Sequence, residues 1–183
     1  YALNKGSSQF KLDLLEHINL LNIEERTEYV NSFLDSFVGK NDVKGALVLW
    51  KDVISPQALR NDTIAKNYIK LAKTVQDNDL DFVCIHNLRY ITNAEERQES
   101  YKFFADRVIE TKNEKALLLC IKRLNLLSSD EDRLAYFKKF ANYASNSDSP
   151  RIKSSLDPEK FFTNEWLEQA QSYLARLEIA EVV

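Results

Sequence analysis

The hydrophobic residues of this chain follow a helical period from near its beginning to near its end. Phe10, Leu14, Ile18 and Leu21 fall on one helical face, and the same spacing of three to four residues recurs in later segments. Only three Gly and three Pro occur in 183 residues, which disfavours the many tight turns of an all-β fold. The sequence therefore predicts an all-α protein.

A short polar signature precedes successive apolar segments. It reads Asn-x-Glu-Glu-Arg at residues 22–26 and 93–97, and Ser-x-Glu-Asp-Arg at 129–133. Asn61 with Asp62 fills the missing place, so the four starts lie 39, 32 and 36 residues apart. A period of this size is typical of stacked two-helix repeats. Asn or Ser followed by carboxylates also caps helices, so we expect each start to be a helix N-cap.

The repeat divides the chain into four predicted parts. Residues 1–22 should form an N-terminal helix, which could end a preceding repeat, and residues 23–144 should form the helical repeat array. Residues 145–163 are predicted to be a polar linker, because the stretch 145–158 is rich in Ser, Asp and Pro and is typical of a loop. Residues 164–183 are predicted to form a C-terminal capping helix with Asn164 as its N-cap. The chain starts at Tyr1 and contains no Met, which predicts a fragment of a longer protein.

Composition excludes several classes of function. A net charge of −3 gives no overall basic signal, so nucleic-acid binding would need a local patch. No apolar run approaches the length of a membrane span. Cys84 and Cys120 lie one repeat apart, which predicts equivalent buried positions in successive helices. The sequence has no phosphate loop, metal-ligand cluster or nucleophile–base set, so we expect neither an enzyme nor a cofactor.

Two polar ladders follow the repeat. The first has arginine in three repeats and asparagine in the other: Arg26, Asn61, Arg97 and Arg133. The second lies five residues further on, at spacings of 35, 36 and 36: Asn31, Lys66, Lys102 and Lys138. Aromatic residues follow two positions later, about 200° around the helix, and should point into the core: Phe33, Tyr68, Phe104 and Phe140. The second ladder is then expected to face outward, either as an ordinary solvated surface or as a basic track for a phosphate backbone.

Residues 29–53 resemble a pentatricopeptide repeat in their aromatic, Leu, Gly/Asn and Ala-Leu-x-Leu-aromatic positions. Residues 63–90 and 99–124 are similar but weaker copies, so the resemblance covers roughly residues 24–144. The resemblance implies a right-handed α-solenoid of antiparallel helix pairs. The related tetratricopeptide repeat, which binds peptides, is matched by Ala46 and Trp50, but Leu34 stands where it has a small residue. In both families the aromatic at the position of Trp50 packs between neighbouring repeats.

In the pentatricopeptide family, an early helix-A residue and the last residue of the repeat together read one RNA base. In this sequence the resemblance places the early position at Asn31, Lys66 and Lys102. It places the last position of the repeat at Asn61, Arg97 and Arg133. Only Asn31 with Asn61 resembles a base-reading pair, and the Lys and Arg at the other positions favour contact with the RNA backbone.

Two functions are therefore open. The first is an RNA-binding protein that grips single-stranded RNA and acts in organellar RNA stability, processing or translation. The asparagine- and lysine-rich style resembles fungal mitochondrial members of the family, which implies the mitochondrial matrix. The second is a protein-binding α-solenoid scaffold with no nucleic-acid contact, which the acidic charge balance favours.

Overall fold

The computed structural model describes residues 17–18, 20–55 and 59–177, and this part of the chain contains helices and no β-strand. The all-α prediction is confirmed, while the solenoid arrangement and the domain boundaries stay predictions. The chain divides into two compact units, which meet between Thr92 and Asn93. Residues 17, 18 and 20 are helical and Ile18 is buried, but most of the helix predicted over 1–22 lies outside the described residues.

Unit 1 contains two helix pairs. The helices of the first pair are α1 (Ile23–Lys40) and α2 (Val43–Leu49), which continues as a π-helical turn over Trp50–Ile54. The second pair is α3 (Asp62–Thr74) and α4 (Asn78–Asn87), followed by a 3-10 turn at Leu88–Tyr90. Helix α1 packs on both α2 and α3, and α3 packs on α4. In each repeat we call the first helix A and the second helix B.

Unit 2 begins with a third pair and ends with shorter elements. The pair is α5 (Ala94–Glu110) and α6 (Glu114–Lys122), followed by a 3-10 turn at Leu124–Leu126. Then come α7 (Asp130–Ser145), α8 (Pro150–Ser155), a 3-10 turn at Pro158–Lys160 and α9 (Asn164–Arg176). Helix α7 packs on α5, α8 and α9, and α8 also packs on α6. No helix in the described residues is long and apolar enough to cross a membrane.

The four predicted starts are the N-caps of the four A helices, which confirms the capping prediction. In each, the side-chain oxygen accepts a hydrogen bond of 2.9 to 3.2 Å from the backbone N–H three residues on. The caps are Asn22, Asn61, Asn93 and Ser129. Asn22 also forms a complete capping box, because the Glu25 carboxylate accepts the Asn22 N–H at 3.0 Å.

The uneven spacing of the starts comes from one short helix. Helix α3 has 13 residues, whereas α1, α5 and α7 have 18, 17 and 16. The A helices nevertheless end at nearly even intervals, at Lys40, Thr74, Glu110 and Ser145. Helix α3 therefore begins about one turn later in the repeat than the other A helices. Its cap Asn61 occupies the repeat position at which Arg97 and Arg133 lie, one turn inside α5 and α7.

The core confirms most of the predicted inward positions. Tyr68, Phe104 and Phe140 are fully buried, but Phe33 is only half-buried and packs on Tyr29 of its own helix, with ring centroids 5.0 Å apart. Cys84 and Cys120 are both buried, in α4 and α6, and neither forms a disulfide. The prediction that both cysteines are buried in successive B helices is therefore confirmed.

Trp50 lies between the first and second repeats, as predicted. Its ring contacts Tyr68 of α3 and His86 of α4, with centroid distances of 5.8 and 5.7 Å. The residue is half-buried, so its removal should cost less than that of a fully enclosed tryptophan.

Two predictions for the C-terminal part are wrong. The stretch 145–158 is not all loop, because Pro150–Ser155 is a helix that packs on α6 and α7 and in which Ile152 is fully buried. The N-cap of α9 is Thr163 and not Asn164, which is the first helical residue and has a φ of 51°. Thr163 is extended, as an N-cap requires, whereas the left-handed backbone of Asn164 is one that asparagine tolerates.

Candidate nucleic-acid interface

In unit 1 the ladder residues serve mainly local roles. The Arg26 Nε donates to the Leu21 carbonyl at 2.8 Å, and the Lys66 ammonium forms an ion pair of 2.9 Å with Asp62, one turn earlier on α3. Asn31 is half-buried, and its Oδ1 has no hydrogen-bond partner among the described residues. Asn61 uses its Oδ1 to cap α3. Of the predicted base-reading pair, Asn31 therefore has an amide oxygen without a hydrogen bond to the described residues, whereas the amide oxygen of Asn61 already caps α3.

Asp62 links α3 to the chain that leads into the third repeat. Its Oδ1 accepts hydrogen bonds from the Thr92 N–H at 2.8 Å and the Thr92 hydroxyl at 3.1 Å. The backbone hydrogen bond from Thr92 is the main reason that the pKa of Asp62 is lowered, with further help from Lys66. The carboxylate beside Lys66 is therefore held in place and charged.

In unit 2 a continuous polar seam joins α5 to α7. Three residues spaced four apart on α5 each contact the residue 30 positions further along the chain, which is Ser128 just before α7, or Asp132 or Tyr136 within α7. The contacts are Gln98 Oε1 to Ser128 Oγ at 2.9 Å, Lys102 Nζ to Asp132 Oδ2 at 2.8 Å, and Asp106 Oδ2 to Tyr136 Oη at 3.0 Å. Residues i and i+4 share a helix face, so the seam follows one face of each helix. We call this set the α5–α7 seam.

The charged side chains of the α5–α7 seam are paired with opposite charges of the same unit. Lys102 faces Asp132, and Lys139 forms an ion pair of 2.7 Å with Asp106 while lying 4.3 Å from the centre of the Tyr136 ring. Burial, and then the charge of Asp106, raises the pKa of Tyr136 well above its usual range. Tyr136 is therefore a neutral hydroxyl that donates to Asp106. Each ammonium group of the seam already has a carboxylate partner.

The arginine of the signature is a structural connector. The Arg133 Nε donates to the Leu127 carbonyl at 3.0 Å, and its two Nη atoms donate to the carbonyls of Phe161 and Ser128 at 3.0 and 3.1 Å. It also forms an ion pair of 3.0 Å with Asp130. A cation in the first turn opposes the helix dipole, but the bonds to Leu127 and Ser128 satisfy carbonyls just before the helix, and the bond to Phe161 connects α7 to the segment before α9. Arg26 acts in the same way on Leu21, and Arg97 is half-buried at the matching position.

Lys138 lies against the C-terminal helix. Its Nζ is 5.4 Å from the centre of the Tyr173 ring on α9, a cation–π distance. It lines a cavity of about 450 Å³ together with residues of both charge signs on α9, including Glu165, Glu168 and Arg176. Lys138 therefore contacts the predicted C-terminal helix, a contact that the sequence analysis did not anticipate.

The sequence also missed a groove between the C-terminal halves of α5 and α7. Its volume is about 780 Å³. It is lined by Asp106, Ile109, Glu110, Lys112, Lys139, Asn142, Tyr143, Asn146 and Ser147. The groove continues the α5–α7 seam, with which it shares Asp106 and Lys139. The sequence pointed to this groove only through the repeat spacing, which predicts that α5 and α7 lie next to each other.

Together these contacts show that the second ladder is only partly exposed to solvent. Asn31, Lys66, Lys102 and Lys138 are all half-buried, and the last two contact a neighbouring helix. Lys102 and Lys138 are reached by side chains of α7 and α9 although each lies about 200° from the core aromatic of its own helix. Whether these eight residues contact RNA stays a prediction.

Comparisons with protein-family models, with curated proteins and with solved structures found no match for this chain. No group of three or more potential metal ligands occurs in the part of the chain that the structure describes. The functional argument therefore rests on the residues and contacts described above.

Proposed function

We propose that this chain is a non-catalytic scaffold that binds a protein partner through the A-helix surface of unit 2. The observation that carries the proposal is the internal pairing of Lys102 with Asp132 and of Lys139 with Asp106. A phosphate backbone would have to displace these carboxylates before it gained the lysines. A protein partner needs no such exchange.

The groove beside the seam has the composition of a peptide site. Ile109 and Tyr143 supply half-buried apolar surface, while Asp106, Glu110 and Lys112 supply charges at its rim. Peptide grooves commonly combine apolar surface for anchor residues with polar groups that fix orientation. We therefore expect the partner to insert an apolar side chain and to place a basic residue near Glu110.

Charge reversal in the groove tests this proposal. Glu110→Lys should abolish or strongly weaken partner binding, because it repels the expected basic residue and leaves the core intact. Glu159→Lys is the matched control, since Glu159 is an exposed carboxylate of the same unit outside the groove. Quantitative co-purification of the two variants and the wild type, followed by binding assays with the recovered partner, is the measurement. Equal partner recovery in both variants would exclude the groove as the contact surface.

Single-stranded RNA binding is the second candidate, and one observation favours it. Lys66 and Lys102 lie at equivalent positions of successive A helices, 36 residues apart. Their side chains remain 39% and 38% exposed although both form ion pairs. Surface ion pairs contribute little, so a multivalent phosphate chain could exchange for the carboxylates. The proposed role would be organellar RNA stability, processing or translation, and the mitochondrial matrix is proposed only together with it.

A triple variant separates the two candidates. Replacing Lys66, Lys102 and Lys138 with Gln should weaken binding to unrelated single-stranded RNAs and lower the salt slope by roughly 0.7 per lost phosphate contact. The control replaces three exposed lysines outside the ladder with Gln: Lys44, Lys70 and Lys122. Filter binding at two salt concentrations gives the slopes. If both triple variants lose the same affinity, or the wild type has none at low salt, the ladder is not an RNA site.

Asn31 gives a separate test of base reading. If its uncommitted Oδ1 reads a base, Asn31→Ala should change the preference at one nucleotide and leave the salt slope unchanged. A uniform loss over all sequences would instead indicate that Asn31 only supports the helix.

A further inference from the structure

Two arginines of unit 1 converge on one tyrosine hydroxyl. The Arg89 Nη2 lies 2.6 Å from the Tyr90 oxygen, and the Arg60 Nη1 lies 3.4 Å from the same atom. The Arg89 guanidinium also lies 4.8 Å from the centre of the Tyr90 ring. Guanidinium groups can only donate, so one phenol oxygen serves as acceptor for two cations.

Arg60 is held from behind by its own unit. Its Nη2 donates to the Ser55 hydroxyl at 3.1 Å and to the Ser55 carbonyl at 3.4 Å, and its guanidinium lies 5.4 Å from the centre of the Trp50 ring. These contacts orient one edge of the guanidinium and leave the Nη1 edge directed at Tyr90. Arg89 is exposed and reaches the same point from the end of the 3-10 turn.

The described residues place no carboxylate in an ion pair with Arg60 or Arg89. By contrast, Lys66, Lys102, Arg133 and Lys139 each form an ion pair with a carboxylate. Two like charges that meet at one neutral oxygen repel each other, and an anion between them would remove the repulsion. Although burial raises it, the hydrogen bonds and charges of Arg60 and Arg89 together lower the pKa of Tyr90.

The cluster is not required by the repeat. One period of 36 residues further on, the equivalent residues are Glu96, Asn125 and Leu126, although the 3-10 turn itself is kept. The fold can therefore form this turn without arginine or tyrosine. The repeat pattern therefore does not account for two arginines and a tyrosine at this turn, whose guanidinium groups offer donors of defined position.

We propose that Arg60, Arg89 and Tyr90 form a binding site for the dianion of a phosphate group. Two guanidinium groups match the two negative charges of inorganic phosphate or of a phosphate monoester, and they present the planar donors that phosphate oxygens accept. A phosphodiester carries one charge and fits this balance less well. The Tyr90 hydroxyl can turn its own proton toward a phosphate oxygen. The site goes beyond the scaffold proposal and does not depend on which partner unit 2 binds.

Isothermal titration with three small probes at one pH and salt concentration tests the site. We expect saturable binding of inorganic phosphate and phenyl phosphate, and binding at least about tenfold weaker for dimethyl phosphate, which has one charge. If phenyl phosphate binds more tightly than inorganic phosphate, the ligand is an esterified phosphate. If inorganic phosphate binds more tightly, the ligand is the free ion. Equal binding of dimethyl phosphate would overturn the dianion assignment.

Arg89→Gln is the decisive variant, because Arg89 is exposed and its loss should not disturb the fold. It should weaken phenyl phosphate binding about tenfold or more, the effect of one charge-assisted contact. Arg151→Gln removes another exposed arginine, which lies in unit 2, and should change the affinity less than twofold. Arg60→Gln should also weaken binding, with circular dichroism to verify that it folds. Absence of saturable binding in the wild type, or equal affinities for the Arg89 and Arg151 variants, would overturn the proposal.

The indole of Trp50 supplies a local signal. The chain has two tryptophans, so Trp166→Phe leaves Trp50 as the only one. Because Arg60 lies over the Trp50 ring, a phosphate that draws Arg60 away should change the fluorescence with the same midpoint as the titration heat. An unchanged spectrum at saturation would show that the probe binds elsewhere.

Discussion

Gly45 offers a sharp test of the packing between α1 and α2. Replacing a helical glycine with alanine normally stabilises a protein, by roughly 0.5 to 1 kcal/mol, because the unfolded chain loses freedom. At Gly45 the added Cβ would lie 2.7 Å from the Phe37 ring and 2.7 Å from the Asp42 carboxylate. The Phe37 side chain is only 6% exposed, so it has little room to move away.

The expected magnitude follows from these two contacts. Overpacking a closed core costs about 1 to 3 kcal/mol. Asp42 caps α2 through a 2.9 Å hydrogen bond from the Gly45 N–H, and displacing that cap costs about a further 1 kcal/mol. After the helix-propensity gain is subtracted, Gly45→Ala should lower the free energy of unfolding by about 1 to 3 kcal/mol.

Gly39→Ala is the matched control. Gly39 lies in α1, and its added Cβ would meet no atom within 4 Å, so the substitution should raise stability by about 0.5 kcal/mol or more. Urea unfolding monitored by circular dichroism compares the two variants with the wild type. Adding Phe37→Leu should reduce the cost of Gly45→Ala, since a smaller side chain leaves room for the methyl group. If Gly45→Ala stabilises the protein as much as Gly39→Ala, the close packing of Phe37 on Gly45 is wrong.

Three further predictions concern caps, titration and the seam. Asn93→Ala should lower the free energy of unfolding by about 1 kcal/mol because α5 loses its side-chain cap, and Asn93→Gly should cost less; equal losses in urea unfolding would contradict the capping role. Burial raises the pKa of Tyr101 well above 10, so the unfolded chain releases its proton first and stability should fall as pH rises above about 10. Tyr101→Phe should make this decline shallower in unfolding experiments between pH 8 and 11, and an identical slope would refute the assignment. A double-mutant cycle with Lys102→Gln and Asp132→Asn should give a coupling of about 0.2 to 1 kcal/mol that decreases with salt, as expected for a half-exposed pair; a salt-independent coupling would indicate a different interaction.

Helix starts and core positions could be predicted because they depend on local chemistry. A side-chain oxygen three residues before a free N–H caps a helix wherever it stands, so Asn22, Asn93 and Ser129 were identified without knowledge of the fold. Cys84 and Cys120 were placed correctly because equal positions in a repeat have equal surroundings. Thr163 was missed as the cap of α9 because it makes no capping hydrogen bond and Asn164 is the stronger capping type.

The candidate site was only partly predictable. The sequence located the ladders but could not show that Lys102 meets Asp132, since the partner lies 30 residues away on another helix. It classed 145–158 as a loop by composition, although Ile152 is buried and draws that stretch into a helix. The Arg60, Arg89 and Tyr90 cluster has no periodic signal at all, because it occurs in one repeat only.

The sequence by itself determined that this protein is helical, where its A helices begin and which residues form its core. These features follow from hydrogen bonds and hydrophobic spacing within a single helix, which the order of residues specifies directly. Only the tertiary structure decided that Lys102 and Lys139 are neutralised, because their carboxylate partners lie on a neighbouring helix that brings them within 3 Å. Lys102, which the sequence placed in a basic ladder, forms an ion pair with Asp132 in the folded chain. Arg60 and Arg89, which belong to neither ladder, both contact the Tyr90 hydroxyl.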